Sequence, residues 1–210
     1  MSKKDYIQHI EGAERRYINP SMQVRADGDD DTVEGVAAVV GSTTDLGWFE
    51  ERIDKGAFDD VLKDDTVALF NHDPNLPLAR SSAEGDGKLE LYLTKEGHLG
   101  YRYKTPNTSV GRDLSENIKN GVIKHSSFAF TIGEESWEFA SDENGRDKDL
   151  RTIKKIDRLY DVSPVTYPAY ADTSVAARSK ESIEEPNNNE CEIREMKHTI
   201  NKIKNKIKIG

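Results

Sequence analysis

GVIKHSSFAF, residues 121–130, is an apolar, strand-like run that two adjacent serines interrupt. A hydroxyl inside a strand is either hydrogen-bonded or put to use, because burying it unpaired costs free energy. Successive side chains of a strand point to opposite faces, so Ser126 shares a face with Phe128 while Ser127 shares the other with His125. A serine on a rigid strand is a candidate nucleophile if an imidazole can reach it. The alternative is that both serines are ordinary strand residues.

Length and composition limit the classes of protein that the chain can belong to. Its 210 residues suit one compact domain plus a tail, or two very small domains. The start lacks the apolar run of a signal peptide, and no stretch is long and apolar enough to be a membrane span. The single cysteine, Cys191, permits no internal disulfide and fits a reducing cytoplasm. The net charge of -9 argues against binding to nucleic acid.

Composition divides the chain into three segments. Residues 1–30 are polar, residues 31–178 carry the candidate core, and residues 179–210 begin with a linker rich in Glu, Pro and Asn. The end of the chain, 190–210, has a net charge of +3, against -12 for the rest. Its apolar residues recur at alternating spacings of three and four, which predicts a helix that docks on a partner. Disorder and a strand remain alternatives for this tail.

The middle segment reads as several strands with two short helices. Strands are predicted at 33–40, 66–70, 89–93, 99–103, 121–130, 137–139, 150–156 and 159–167, and helices at 54–64 and 108–120. Glu96-Gly97 predicts a hairpin, and Gly121 a helix end. We therefore expect an α+β or mainly β domain, built as a small antiparallel β-barrel flanked by short helices.

Among the histidines, His72 is the candidate base. It lies where a strand opens into a turn, a position from which catalytic groups often act, and a near-neutral imidazole there can take a proton from a serine. His125 lies about 7 Å from Ser127 along one strand face, so it is a pocket neighbour rather than the base. The remaining three are expected at the surface: His9, His98 and His198.

Other chemistries are poorly supported by the sequence. The chain has no Gly-x-Ser-x-Gly elbow, no glycine-rich phosphate loop and no His/Cys spacing suited to zinc, so we expect no metal or cofactor. Cys191 stands in the tail without an orienting scaffold, and the carboxylates are scattered. Asp73 reads as a turn residue before Pro74.

Four motifs, in order, resemble those of the tailed-phage prohead maturation proteases. The similarity runs from about residue 33 to residue 178. The matching stretches are Lys55-Gly56-Ala57-Phe58, then Phe70-Asn71-His72-Asp73 with Leu78-Ala79-Arg80, then 121–130, then Leu159 to Tyr170 with Asp161 inside it. Ala79 replaces a frequent glycine, Ser126 replaces a frequent apolar residue, and Asp161 stands where many relatives carry glutamate.

The resemblance implies a fold like that of the herpesvirus capsid-maturation proteases and a serine endopeptidase acting inside an assembling procapsid in the host cytoplasm. By position, Ser127 is the nucleophile, with Ser126 competing for that role, His72 is the general base, and Asp161 orients the imidazole. The implied substrates are the scaffold or an extension of the major capsid protein, and the chain itself. A homodimer is also implied. Arg80 and Arg151 are candidate oxyanion donors, each with a structural role as the alternative.

The competing hypothesis for the whole chain is a catalytically inactive scaffolding or capsid-binding protein with the same barrel. A weaker third is an ordinary cellular hydrolase, which no pocket motif supports.

Overall fold

The computed structural model describes residues 10–17, 25–27, 31–140 and 147–167, and in these the protein is mainly β with one α-helix. The strands are β1 Glu14–Tyr17, β2 Arg25–Asp27, β3 Thr32–Ala38, β4 Thr43–Asp45, β5 Phe49–Ile53, β6 Val67–Phe70, β7 Asp73–Arg80, β8 Leu89–Leu93, β9 Leu99–Lys104, β10 His125–Glu138 and β11 Asp149–Val165. The helix, α1, is Ser109–Lys119, and two 3-10 turns are Val61–Lys63 and Gly85–Gly87. None of the described helices is long and apolar enough to cross a membrane.

The strands form two sheets. The larger has seven strands in the order β1-β10-β11-β5-β4, with β6 pairing to both β11 and β7. The smaller has four strands in the order β2-β3-β9-β8. Along one edge β11 pairs antiparallel with β10, and along its other edge it pairs in parallel with β5 and then with β6. The pairing of the described strands does not close on itself, so the predicted closed antiparallel barrel is not confirmed.

Apolar side chains from both sheets and from α1 form the main core. Phe128 stacks on Phe130 with ring centroids 4.7 Å apart and meets Phe58 edge-on at 5.7 Å. Tyr101 of the smaller sheet is fully buried, and its Oη lies 2.8 Å from Ser126 Oγ of the larger sheet. This hydrogen bond joins the sheets and satisfies two polar groups that would otherwise be costly to bury.

Several predicted elements are confirmed. Thr108 caps α1 by accepting from the Gly111 amide, and Gly121 follows the helix with a φ of +69°. The hairpin of β8 and β9 also forms as predicted, with Gly97 at a φ of +90°.

Other predictions are wrong. Residues 54–64 form turns and a 3-10 segment rather than an α-helix, because Gly56 adopts a φ of +87° that breaks the helical path. One strand, β10, covers 125–130 and 137–138 of two predicted strands, while 121–124 precede it, and β11 covers 150–156 and 159–165 of the next two. His98 is buried, and its Nδ1 accepts the Val40 amide proton at 3.2 Å.

The strands β1 and β2 fall within 1–30, where no strand was predicted. The predicted tail, 179–210, with Cys191 and His198, lies outside the described residues, as does His9.

A buried cluster of charged residues links β1, the edge strand, to β5 and β11 of the same sheet. Glu14 and Arg16 contact each other, Arg16 Nη2 donates to Glu51 Oε2 at 2.8 Å, and Arg151 Nη2 lies 2.8 Å from Glu14 Oε1. Arg151 also pairs with Glu51 at 3.2 Å and with Glu135 at 2.6 Å. Burial alone raises the pKa of Glu14, but the guanidiniums of Arg16 and Arg151 outweigh it and lower that pKa below its usual range.

Candidate active site

Ser127 lies on β10 of the larger sheet, between β11 and the edge strand β1. Antiparallel pairing sets Ser127 opposite Ser163 of β11 on one side and opposite Tyr17 of β1 on the other. Its side chain is fully buried. The alternation of the strand turns it away from Phe128, which faces the apolar core.

Asp161 lies on β11, on the same sheet face as Ser127. It pairs with Ala129, two residues beyond Ser127, so the two side chains are diagonal neighbours across the β10–β11 ladder. Asp161 is fully buried, and Ser163 Oγ donates a hydrogen bond to Asp161 Oδ1 at 2.8 Å. Ser163 therefore helps to fix the carboxylate, because a strand places residues i and i+2 on one face.

His72 reaches this face from the turn between β6 and β7. The β6 strand pairs in parallel with β11, starting with Val67 opposite Asp161, and the Asn71 amide after its end donates to the Pro164 carbonyl at 3.1 Å. The turn is thus fixed to β11 a few residues beyond Asp161, within reach of its carboxylate for the His72 side chain. Asn71 and His72 then adopt φ values of +54° and +55°, a left-handed turn that is unusual for histidine. The Asn71 side chain supports the turn: its Oδ1 accepts the Thr166 amide proton at 2.9 Å, and its Nδ2 donates to Thr166 Oγ1 at 3.2 Å.

The imidazole of His72 bridges the carboxylate and the hydroxyl. Its Nδ1 lies 2.6 Å from Asp161 Oδ1, and its Nε2 lies 2.7 Å from Ser127 Oγ. With the carboxylate ionised, Nδ1 carries the proton that Asp161 accepts, which leaves Nε2 as an acceptor facing the Ser127 hydroxyl. His72 retains 6% exposure, so the imidazole is the most accessible of the three side chains.

The Ser127 hydroxyl has a second partner. Its Oγ lies 2.8 Å from the backbone carbonyl oxygen of Arg16, in β1. A hydroxyl has one proton, so it can donate either to that carbonyl or to His72 Nε2, but not to both.

This arrangement has the geometry of a Ser-His-Asp triad. A base within hydrogen-bond reach of a hydroxyl can take its proton, and a carboxylate behind the base holds the tautomer and stabilises the imidazolium that forms. The chemistry available to such a set is nucleophilic attack on an acyl group, with a covalent acyl-enzyme as the intermediate.

The remaining sequence candidates are engaged elsewhere. Arg80 Nε donates to Asp65 at 2.8 Å on the surface, and Arg151 is held in the buried charged cluster, so each pairs with carboxylates rather than with Ser127. Asp73 accepts the Asn75 amide proton at 2.9 Å, which is the turn role expected of it. His125, at the start of β10, is half-buried, and its Nδ1 has no hydrogen-bond partner among the described residues.

Three residues of the site were not found from sequence. Ser163 had a usable signal, since it stands two residues from Asp161 on the same strand. Asn71 had a weaker one, because asparagine tolerates a left-handed backbone better than most residues. Arg16 had no signal in the sequence. Its contact with Ser127 is made by its backbone carbonyl, and the polar sequence of β1 does not indicate that this segment pairs with β10.

A family model described as "Caudovirus prohead serine protease" matches residues 20–189, which is most of the chain and includes all three side chains of the triad geometry. No curated protein and no solved structure matches the chain.

Proposed function

The chain belongs to the caudovirus prohead serine protease family, and we propose that it is a serine endopeptidase in which Ser127 is the nucleophile, His72 the general base and Asp161 the residue that orients the imidazole. The observation that carries this proposal is the pair of contacts made by one imidazole, 2.6 Å to Asp161 and 2.7 Å to Ser127. These three residues come from separate elements, and the backbone at Asn71 and His72 adopts a left-handed conformation where the imidazole reaches the other two.

In the first half of the reaction, His72 Nε2 takes the Ser127 proton as Oγ attacks the carbonyl carbon of the substrate peptide. The tetrahedral intermediate then collapses, the C–N bond breaks, and the leaving amine takes the proton from the imidazolium. The products of this half are a free amine and an ester on Ser127 Oγ. Asp161 accepts a hydrogen bond from Nδ1–H throughout and stabilises the positively charged imidazolium, and it is not itself protonated.

In the second half, a water molecule replaces the leaving amine. His72 Nε2 takes a proton from that water, whose oxygen attacks the ester carbon. The ester bond breaks, the proton returns to Ser127 Oγ, and the substrate leaves as a carboxylate. Water is the only co-reactant that this sequence needs.

The proposed substrates are the scaffold or an extension of the major capsid protein, together with the chain itself, cleaved inside the assembling procapsid in the host cytoplasm. Family membership supports this assignment, since the family is described by the prohead in which its members act. We further propose that the basic tail, 179–210, docks on the scaffold or shell through its heptad repeat, and that the protease acts as a homodimer.

The test is co-expression of the chain with its capsid and scaffold proteins, followed by mass spectrometry of the products. We expect processing with the wild-type chain and with Ser126→Ala, and none with Ser127→Ala. A fluorophosphonate should label Ser127 alone, as shown by peptide mapping.

Normal processing by Ser127→Ala together with loss in Ser126→Ala would move the nucleophile to Ser126. If neither Ser127→Ala nor Ser126→Ala affected processing and no serine were labelled, the inactive scaffolding protein would be favoured instead.

A further inference from the structure

The first strand, β1, occupies a place that suits a substrate. From its position we infer that the edge of β10 beside Ser127 is the binding site for an extended peptide, that β1 fills this site as an autoinhibitory strand, and that the Arg16–Tyr17 bond is the one presented to Ser127 for self-cleavage. The inference rests on the function proposed above, and it names the segment, the bond and the form of recognition.

The strand pairing sets the position of the bond. β1 pairs antiparallel with the nucleophile strand over four residues, with Arg16 opposite Phe128 and Tyr17 opposite Ser127. The addition of an extended strand to a sheet edge is a general way to recognise peptides, because the backbone supplies the hydrogen bonds. Among the described residues, the Arg16 carbonyl is the backbone group that contacts Ser127 Oγ, at 2.8 Å. Attack would therefore fall on the bond that follows Arg16.

The same contact blocks the site for other peptides. Ser127 is fully buried although a nucleophile must meet its substrate, and β1 lies alongside it with the Arg16 carbonyl on the hydroxyl. The Arg16 carbonyl also competes with His72 Nε2 for the single proton of the hydroxyl. Cover and competition together keep Ser127 inactive toward peptides in solution for as long as β1 stays in place.

The charged cluster allows β1 to leave without stranding an unpaired residue. β1 contributes one carboxylate and one guanidinium to the cluster, Glu14 and Arg16, and the charges of these two residues cancel. When they depart, Arg151 still pairs with Glu51 and Glu135. An unpaired buried charge would oppose release strongly, and the remaining contacts avoid it.

Cleavage itself would promote release. Ser127 Oγ attacks the Arg16 carbonyl carbon while His72 takes the hydroxyl proton, and the Arg16–Tyr17 bond breaks as the Tyr17 nitrogen takes that proton. Water then hydrolyses the Arg16 ester, and the new carboxylate leaves. Residues up to Arg16 are no longer joined to the chain, so β1 loses the high effective concentration that held it on the edge of β10.

The first experiment supplies the segment in trans to the full chain, as wild type and as Arg16→Ala, and we expect faster cleavage by Arg16→Ala because its β1 leaves the site more often. The probe is a quenched fluorescent peptide of residues 10–24, IEGAERRYINPSMQV. A peptide of the same composition in scrambled order is the control for sequence, and the Ser127→Ala chain is the control for mechanism. Mass spectrometry of the products locates the cleaved bond, and the same analysis of the incubated protein locates any new N-terminus.

The second experiment weakens β1 in the full chain. Arg16→Ala removes the contacts to Glu14 and Glu51, and Glu14→Gln is a milder variant of the same strand. Both should react with a fluorophosphonate at Ser127 faster than wild type, by about tenfold for Arg16→Ala, since a shift in the open population changes the rate in proportion. Arg102→Ala, which removes a surface arginine paired to Glu90, is the matched control and should leave the rate unchanged. An unfolded variant would react more slowly, so a faster reaction cannot come from unfolding.

The results separate this inference from the proposed function. Cleavage between Arg16 and Tyr17 that is lost in Ser127→Ala, with faster labelling of Arg16→Ala, supports it. Labelling of Ser127 in the wild-type chain at the same rate as in Arg16→Ala, with the peptide intact or cut only elsewhere, overturns it and leaves the protease assignment standing. Absence of any labelling at Ser127 in every variant would overturn the protease assignment as well.

Discussion

The imidazole Nε2 of His72 lies 2.7 Å from the hydroxyl of Ser127 across 55 residues of chain. The two residues meet because β10, which carries Ser127, and β6, which leads into the turn with His72, pair with opposite edges of β11. The contact therefore depends on the sheet register, and changes near it separate catalytic effects from structural ones.

Ser127→Ala should reduce kcat by about 10⁴- to 10⁶-fold, because it removes the nucleophile. It should also lower the free energy of unfolding by about 1–3 kcal/mol, because His72 Nε2 and the Arg16 carbonyl lose a buried partner. The measurement is turnover of a cleavable peptide, together with urea unfolding. Ser126→Ala is its matched control. It should keep the activity while lowering the free energy of unfolding by about 1–3 kcal/mol, since Tyr101 Oη loses its partner in the core. The opposite pattern in the two variants would exchange their roles.

Asp161→Asn should lower kcat by about 10⁴-fold, because an amide can donate to His72 Nδ1 and so favour the wrong tautomer. Ser163→Ala removes only the hydrogen bond to Asp161 and should cost less, about tenfold in kcat with KM unchanged. Steady-state kinetics of both variants test this order. A larger loss in Ser163→Ala than in Asp161→Asn would contradict the assigned roles.

Asn71→Ala should lower both stability and kcat, because it places alanine in a left-handed conformation and removes both side-chain contacts to Thr166. We expect a loss of about 1–2 kcal/mol from the backbone alone. Asn71→Gly relieves the backbone but not the lost contacts, so it should recover part of the stability. Equal stability of the two variants in urea unfolding would show that the backbone conformation is not limiting.

The charged cluster predicts a stability effect that depends on pH. The pKa of Glu14 is lowered in the folded chain, so its contribution is full above the unfolded value, about 4.3, and is lost as pH falls through the folded value. Wild type should therefore exceed Glu14→Gln in free energy of unfolding at pH 7, and the difference should shrink below about pH 4. The groups that face Glu14 are Arg16 and Arg151. A difference that stays constant from pH 7 to pH 3 would exclude this role for Glu14.

Arg151→Ala should destabilise the protein by about 3–5 kcal/mol, since it strips a guanidinium from three buried or partly buried carboxylates. Arg80→Ala removes a surface arginine from its pair with Asp65 and should cost far less, because solvent screens an exposed pair. Thermal and urea unfolding of both variants test the contrast. Equal costs would mean that burial of the cluster does not matter.

The sequence allowed the strands and the helix of the core to be predicted where local patterns are strong. Gly121 after α1 and Glu96-Gly97 between β8 and β9 are local signals, and both elements form as expected. The long strand β11 was predicted as two strands, since Asp157 and Arg158 interrupt its apolar pattern where the backbone stays paired. The parallel pairing of β11 with β5 and β6 could not be predicted, because the register between strands distant in sequence leaves no local signal.

The candidate site shows the same division. His72, Ser127 and Asp161 were chosen from short motifs and come together in the structure, because their backbone positions follow from two strands and one turn. The covering strand β1 was missed. Its sequence is polar, and Glu14 and Arg16 are buried where Arg151 and Glu51, far away in sequence, pair with them.

The position of β11 in the chain bears on the order of folding. β5 with β4, and β6 with β7, connect to β10 only through β11, which begins at Asp149. A ribosome has therefore made most of the chain before the sheet has its central strand, and His72 has no fixed place relative to Ser127 until then. Contacts this distant in sequence also slow folding, because a long loop must close before they form. An unfinished chain therefore lacks the contact between His72 and Ser127 during synthesis, and this delay comes from the order of the strands along the chain.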